Sequence, residues 1–201
     1  MSQLINSQVL LNSRPKGIPQ AENFTIATSP VVAPKDGEVL IRNRYLSVEP
    51  AMRGWICDAG NYSEPVGINT VMRSLAVGEI IESKDPAYKV GQHVLGMFGW
   101  QDYATIPASG IDRVIDTSKL PMSTALGILG INGLAAYFAL LEVGLPKAGD
   151  TVLVSTAAGS VGSCVAQIAK IKGCKTIGIT SSPEKVELCI NEFGYDKAVN
   201  Y

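Results

Sequence analysis

Two glycines three residues apart, Gly159 and Gly162, follow a run of β-favouring residues from Thr151 to Val154. They precede apolar residues at helical spacing, Val161, Val165, Ile168 and Ala169. The pattern predicts a strand buried on both faces, as parallel strands are, turning sharply into a helix. Such a turn aims the first helical N–H groups at whatever sits above the strand end. N–H groups at the positive end of a helix dipole favour an anion. One glycine lets the backbone approach a pyrophosphate closely, and the other lets helix pack on strand. A second strand, Lys175 to Thr180, and a second helix, Pro183 to Phe193, follow, with Gly194 where a helix cap belongs. That second strand ends in Thr180-Ser181-Ser182, with Lys185 one turn into the next helix. An acidic residue there would accept from a ribose 2′-OH. Hydroxyls and a cation instead suit a 2′-phosphate, which favours NADPH. The plainer alternatives are tight helix–strand packing for the glycines and an exposed helix lysine for Lys185.

Several function classes are excluded by bulk properties. The net charge of −1 gives no case for nucleic acid or for an anionic membrane surface. With 46% hydrophobic residues the chain can bury a real core. Cys57, Cys164, Cys174 and Cys189 are scattered with no CxxC pair, as expected of reduced, buried cysteines in a cytoplasmic protein. The N-terminus lacks the basic run and apolar stretch of a signal peptide. From Leu120 to Leu141 there is no charged residue, a length that could span a bilayer. Pro121, Gly127, Gly130, Asn132 and Gly133 interrupt it, so two short buried helices are expected, Ser123 to Leu129 and Leu134 to Val143. The turn signal Asn132-Gly133 would join them.

No metal site is expected. A catalytic zinc takes about three protein ligands, and the chain has a single histidine, His93, in a turn-like context beside Gly91 and Gln92.

Residues 1 to 118 read as β with little helix. Candidate strands are Gln8–Leu11, Phe24–Ala27, Val39–Val48, Leu75–Glu82, His93–Met97 and Tyr103–Ile106, separated by Gly- and Pro-rich turns. Pro50 to Ile56 reads as a helical turn or loop, and Arg53 within it could serve a substrate or the loop itself.

This order, β domain first and nucleotide-type βαβ unit near residue 150, comes with specific motifs. They are Leu11-Asn-Ser-Arg-Pro-Lys-Gly17, Tyr45-Leu-Ser-Val-Glu-Pro-Ala-Met-Arg-Gly54, Gly127-Ile-Leu-Gly-Ile-Asn-Gly-Leu-Ala-Ala-Tyr137, Ala157-Ala-Gly-Ser-Val-Gly162 and Glu184-Lys185. In these the chain resembles the zinc-independent medium-chain dehydrogenase/reductases, and within them the NADPH-dependent alkenal, prostaglandin and curcumin double-bond reductases. The resemblance implies an α/β plus β protein. A GroES-like β-barrel domain at 1–118 would precede connecting helices and the first part of a doubly wound, NADP-binding Rossmann sheet at 119–201.

By resemblance the cofactor contacts are Gly159, Ser160, Val161, Gly162, Ser181, Lys185 and Tyr201, with Lys185 and Tyr201 on the 2′-phosphate. Met52, Tyr62 and Asn132 would touch the substrate, and the Tyr62 phenol could hydrogen-bond an enone oxygen or serve packing alone. The implied reaction is NADPH-dependent reduction of the C=C bond of an α,β-unsaturated ketone or aldehyde, with quinone reduction the alternative. A homodimer is implied for the complete protein. Two positions depart from the family: Ala51 stands where an aromatic residue is usual, and Ala135 where threonine is common. Family members also continue beyond the position of Tyr201. The sequence as it stands is therefore expected to leave Thr151–Ser155 as an apolar edge, to bind NADPH weakly and to lack enone reductase activity.

Overall fold

The computed structural model describes residues 3–58 and 63–201. They form two compact units, Met1–Ser123 and Thr124–Tyr201, dividing slightly later than the expected boundary at 118.

In the first unit, β1 (Ile5–Leu11) and β2 (Phe24–Pro30) make an antiparallel pair. The remaining strands are β3 (Glu38–Leu46), β4 (Ala76–Ser83), β5 (His93–Gly96), β6 (Tyr103–Pro107) and β7 (Ile111–Ile115). They form an antiparallel sheet in the order β6-β3-β4-β5-β7. One core gathers the inward residues of this sheet, among them Val39, Ile41, Ile80, Val94 and Phe98, each no more than 2% exposed. Each such side chain contributes roughly 1.5–3 kcal/mol on burial. A second core lies under the only α-helix of this unit among the described residues, α1 (Ala51–Trp55), and joins Leu11, Met52, Trp55, Ile56, Val66 and Met72. Strand β7 is absent from the expected set. Its middle residues Asp112, Arg113 and Val114 are all exposed, so the period-two alternation that marks a strand is missing.

The second unit departs from expectation at its start. No α-helix forms over 123–129. A short 3-10 turn, Met122–Ala125, ends where Thr124 O accepts from both Gly127 N and Leu129 N. Helix α2 (Ile131–Phe138) then begins at the dipeptide expected to be a turn, and a π-helical segment, Ala139–Gly144, continues it. Gly133 serves close approach here. A Cβ at that position would lie 1.8 Å from Ile128 O. Among the described residues, no helix is long and apolar enough to cross a membrane.

The nucleotide-type unit follows: β8 (Thr151–Ser155), α3 (Ser160–Ile171), β9 (Lys175–Thr180), α4 (Pro183–Asn191) and β10 (Lys197–Asn200). The strands are parallel in the order β10-β9-β8, each reached through a helix as parallel pairing requires. Strand β8 is not buried on both faces. Val152, Val154 and Ala198 pack among helix residues, whereas Leu153 and Val199, pointing to the other face, are 62% and 51% exposed. The run of β-branched residues marks the strand but not its neighbours, and β8 is an edge. The four thiols are free, with Cys164, Cys174 and Cys189 buried.

Gly133→Ala should destabilise the second unit by about 2–3 kcal/mol, since its methyl meets rigid backbone. Denaturant titration measures this, and wild-type stability in the variant would show that the Ile128 contact is not tight.

Candidate functional site

In the second unit the end of β8 passes through Thr156, Ala157 and Ala158 to Gly159, the N-cap of α3. Gly159 N donates to Thr156 O at 2.8 Å, and Ala157 N donates across to Ile179 O of β9 at 3.1 Å. The turn is thereby tied to the neighbouring strand. A Cβ at Gly162 would lie 2.6 Å from Thr156 O and 2.8 Å from Ala157 O, so only glycine allows the helix to sit this low. The first turn of α3 carries no acidic residue, and its N–H groups have no partner within the helix. The arrangement can receive an anion.

Beside it, β9 ends at Thr180 and Ser182 caps α4. The Ser182 Oγ accepts from Lys185 N at 3.3 Å, with Pro183 in the favoured first position. A hydrogen bond with Ser182, aided by Glu184's own backbone N–H, holds the Glu184 carboxyl below its usual range. Lys185 Nζ donates to Ser181 Oγ at 3.3 Å, and Tyr201 N donates to Thr180 O. Thr156, Ala158, Gly159, Thr180, Ser181, Lys185 and Tyr201 together line a cavity of about 120 Å³.

Four of the expected cofactor residues, Gly159, Ser181, Lys185 and Tyr201, thus meet in one cavity. Ser160, Val161 and Gly162 form the adjoining first turn of α3. Thr180 was named from sequence with the hydroxyls that end the second strand, whereas Thr156 and Ala158 were not expected to touch the cofactor. They flank the expected residues directly, but nothing local marks Thr156 as bent toward them.

In the first unit, Met52 lines a cavity of about 420 Å³ with Ile18, Phe24, Ile56, Met72 and Trp100. Its charged members are Glu49 and Arg53. Arg53 Nε donates to Gly17 O at 3.0 Å and its guanidinium also contacts Cys57 Sγ. The arginine therefore holds the Gly17 loop against α1. Ser47 Oγ donates to the Glu49 carboxylate, and Trp100 Nε1 donates to Ser47 O at 2.9 Å. Asn132 sits in the first turn of α2 in the other unit. Tyr62, the expected catalytic residue, lies outside the described residues. His93 Nδ1 is 3.0 Å from Thr117 Oγ1. Among the described residues no three His, Cys, Asp or Glu side chains converge as metal ligands would.

Residues 7–114 match a family described as the N-terminal domain of oxidoreductase. CurA from Vibrio vulnificus, in a crystal structure with NADPH, superposes with a TM-score of 0.88 at 44% identity, over 97% of this chain and 58% of that one. The chain belongs to the zinc-independent medium-chain dehydrogenase/reductase family. Within this family it is 40% identical over 196 residues to the NADPH-dependent curcumin reductase of Escherichia coli (strain K12), covering 98% of this chain and 56% of that protein. It is 36% identical over 200 residues to the NADP(+)-dependent 2-alkenal reductase of Nicotiana tabacum, covering 98% of this chain and 58% of that protein. The chain spans little more than half the length of these medium-chain relatives.

Ser182→Ala should destabilise the second unit by about 1 kcal/mol, the typical worth of an N-cap. Denaturant titration would show it, and an unchanged midpoint would mean that the cap contributes nothing.

Proposed function

We propose that the protein is an NADPH-dependent oxidoreductase that reduces the C=C bond of α,β-unsaturated ketones or aldehydes. One observation carries the cofactor half of this reading. The cavity holding Lys185 and Ser181 adjoins a glycine turn whose helix N–H groups are open to an anion. The residues fit the group: the hydroxyls of Ser181 and Tyr201 and the Lys185 ammonium for a 2′-phosphate, and a backbone cradle at Gly159 to Gly162 for a pyrophosphate. The NADPH-bound CurA and the curcumin and 2-alkenal reductases support the cofactor and the substrate class.

Bound NADPH would supply a hydride to the β-carbon of the conjugated double bond. The chain's own residues bind and orient. The first turn of α3 holds the pyrophosphate, and Lys185, Ser181 and Tyr201 hold the 2′-phosphate. Met52 contributes apolar surface against the substrate, where it excludes water. Tyr62 donates its phenolic proton as a hydrogen bond to the carbonyl oxygen and so steadies the negative charge that develops there. The unpaired thiols fit a cytoplasmic enzyme.

Three experiments on the full-length protein test this. Lys185→Ala should raise KM for NADPH about ten- to a hundredfold and leave NADH use nearly unchanged, as loss of a charge-assisted phosphate contact predicts. Equal loss with both cofactors would remove Lys185 from the 2′-phosphate. Assayed with NADPH on an enone and on a quinone side by side, the protein should favour the enone. Tyr62→Phe should lower kcat on the enone about a hundredfold, in the range of a lost oxyanion donor. A quinone preference that Tyr62→Phe leaves untouched would replace the enone reading.

A further inference from the structure

Thr156 has a φ of 52°. A β-branched residue in the left-handed region is strained, and the conformation persists only where neighbours fix it. Here they do, through Gly159 N on Thr156 O at 2.8 Å and through the next residue, Ala157, whose N–H is tied to Ile179 O. Glycine would adopt the same φ without strain. Thr156 nevertheless carries a side chain, and it is one of the residues lining the cavity that Lys185, Ser181 and Tyr201 share. At about 120 Å³ that cavity is far below the roughly 300 Å³ at which pockets for whole small molecules begin, and it suits a single phosphate group.

We propose that Thr156 is a cofactor-specificity residue whose hydroxyl donates to the 2′-phosphate held by Lys185 and Ser181. This rests on the NADPH assignment above. The strain at residue 156 then has a counterpart in binding: the backbone bend that a β-branched residue resists is what places Thr156 among the residues lining the cavity.

Three variants of the full-length protein separate side-chain chemistry from backbone shape, with NADPH and NADH titrated by cofactor fluorescence. Thr156→Val keeps the branch and removes the donor. It should weaken NADPH about five- to tenfold, the worth of one hydrogen bond, and leave NADH unchanged. Thr156→Ser keeps the donor and should retain the wild-type ratio of the two affinities. Thr156→Gly should weaken NADPH as valine does while raising the Tm of the cofactor-free protein by about 2–4 °C, because it relieves the strain. Opposite signs for stability and binding are not expected of a residue that only shapes the turn. If Thr156→Val keeps the wild-type ratio while Lys185→Ala loses it, Thr156 has no role and the phosphate pocket stands. If neither variant moves the ratio, the pocket assignment falls as well. Equal weakening of both cofactors by valine and by serine would reduce Thr156 to a shape residue and overturn the proposal.

Discussion

No side chain fits at residue 162. The space where a Cβ would stand is closed by the carbonyl oxygens of Thr156 and Ala157 at 2.6 and 2.8 Å, and backbone on both sides cannot give way. This one close approach sets how far the first turn of α3 stands above the end of β8, and hence where its N–H groups point. The rest of the second unit is packed to keep it. Ala157 is fully buried, and Tyr195 donates its hydroxyl to Gly162 O at 2.7 Å from the far side of the core. Burial pushes that phenol well above its usual pKa, so it stays a donor at any physiological pH. The tyrosine ring in turn needs a glycine at 178, where a Cβ would come 2.8 Å from the Ala157 methyl and 3.3 Å from the ring.

Tyr195 and its neighbour Asp196 hold α3 at both ends. The hydroxyl of Tyr195 reaches its first turn, and the Asp196 carboxylate pairs with Lys170 near its last at 3.6 Å. The same carboxylate accepts from Thr176 N at 2.7 Å and from Thr176 Oγ1 at 3.1 Å, which fixes the start of β9. The Thr176 N–H and hydroxyl, with Lys170 adding less, hold the Asp196 carboxyl below its usual range. A depressed carboxyl pKa stabilises the fold above the unfolded-state value and loses that contribution as pH falls through the folded one. The tie between helix and strand is therefore intact at neutral pH and released only in acid. Two adjacent residues after α4 thus hold α3 in place, Tyr195 at a first turn more than thirty residues earlier in sequence and Asp196 near its last.

These couplings explain what was legible in the sequence. Strand β8, helix α3, strand β9 and helix α4 each carry their own period, cap or glycine within about a dozen residues, and they stand close to where that local chemistry puts them. Gly133 was misread because a turn glycine and a close-packing glycine look alike in sequence. What distinguishes them is Ile128, five residues away. Strand β7 was missed because pairing with β5, and no alternation of its own, makes it a strand. The positive φ of Thr156 goes with the hydrogen bonds at its own carbonyl and at the next N–H, the second of them to β9, which no local pattern encodes. The cavity in the first unit was equally hidden. Residues near 18, 52, 72 and 100 converge through pairings such as Val9 N to Trp100 O and Met72 N to Val9 O, set by sheet register across the whole unit.

The two cavities also differ in how they can select what enters. In the first unit, the charged groups at the cavity are already engaged: Glu49 receives the Ser47 hydroxyl, and Arg53 is turned onto Gly17 O and Cys57. Shape and apolar area are left to choose a ligand there. A methylene more or less changes affinity by about 1 kcal/mol in such a site, and an isosteric apolar group is hardly rejected. The small cavity at Lys185 works through hydroxyls and a cation, where a charge-assisted contact is worth about 1.5–3 kcal/mol and its absence leaves polar groups unpaired. On the function proposed above, one chain would combine strict selection of a phosphate-bearing partner with broad tolerance of an apolar one. The tolerance would follow from Glu49 and Arg53 being engaged within the chain, and the strictness from a cavity of about 120 Å³ lined by hydroxyls and a cation.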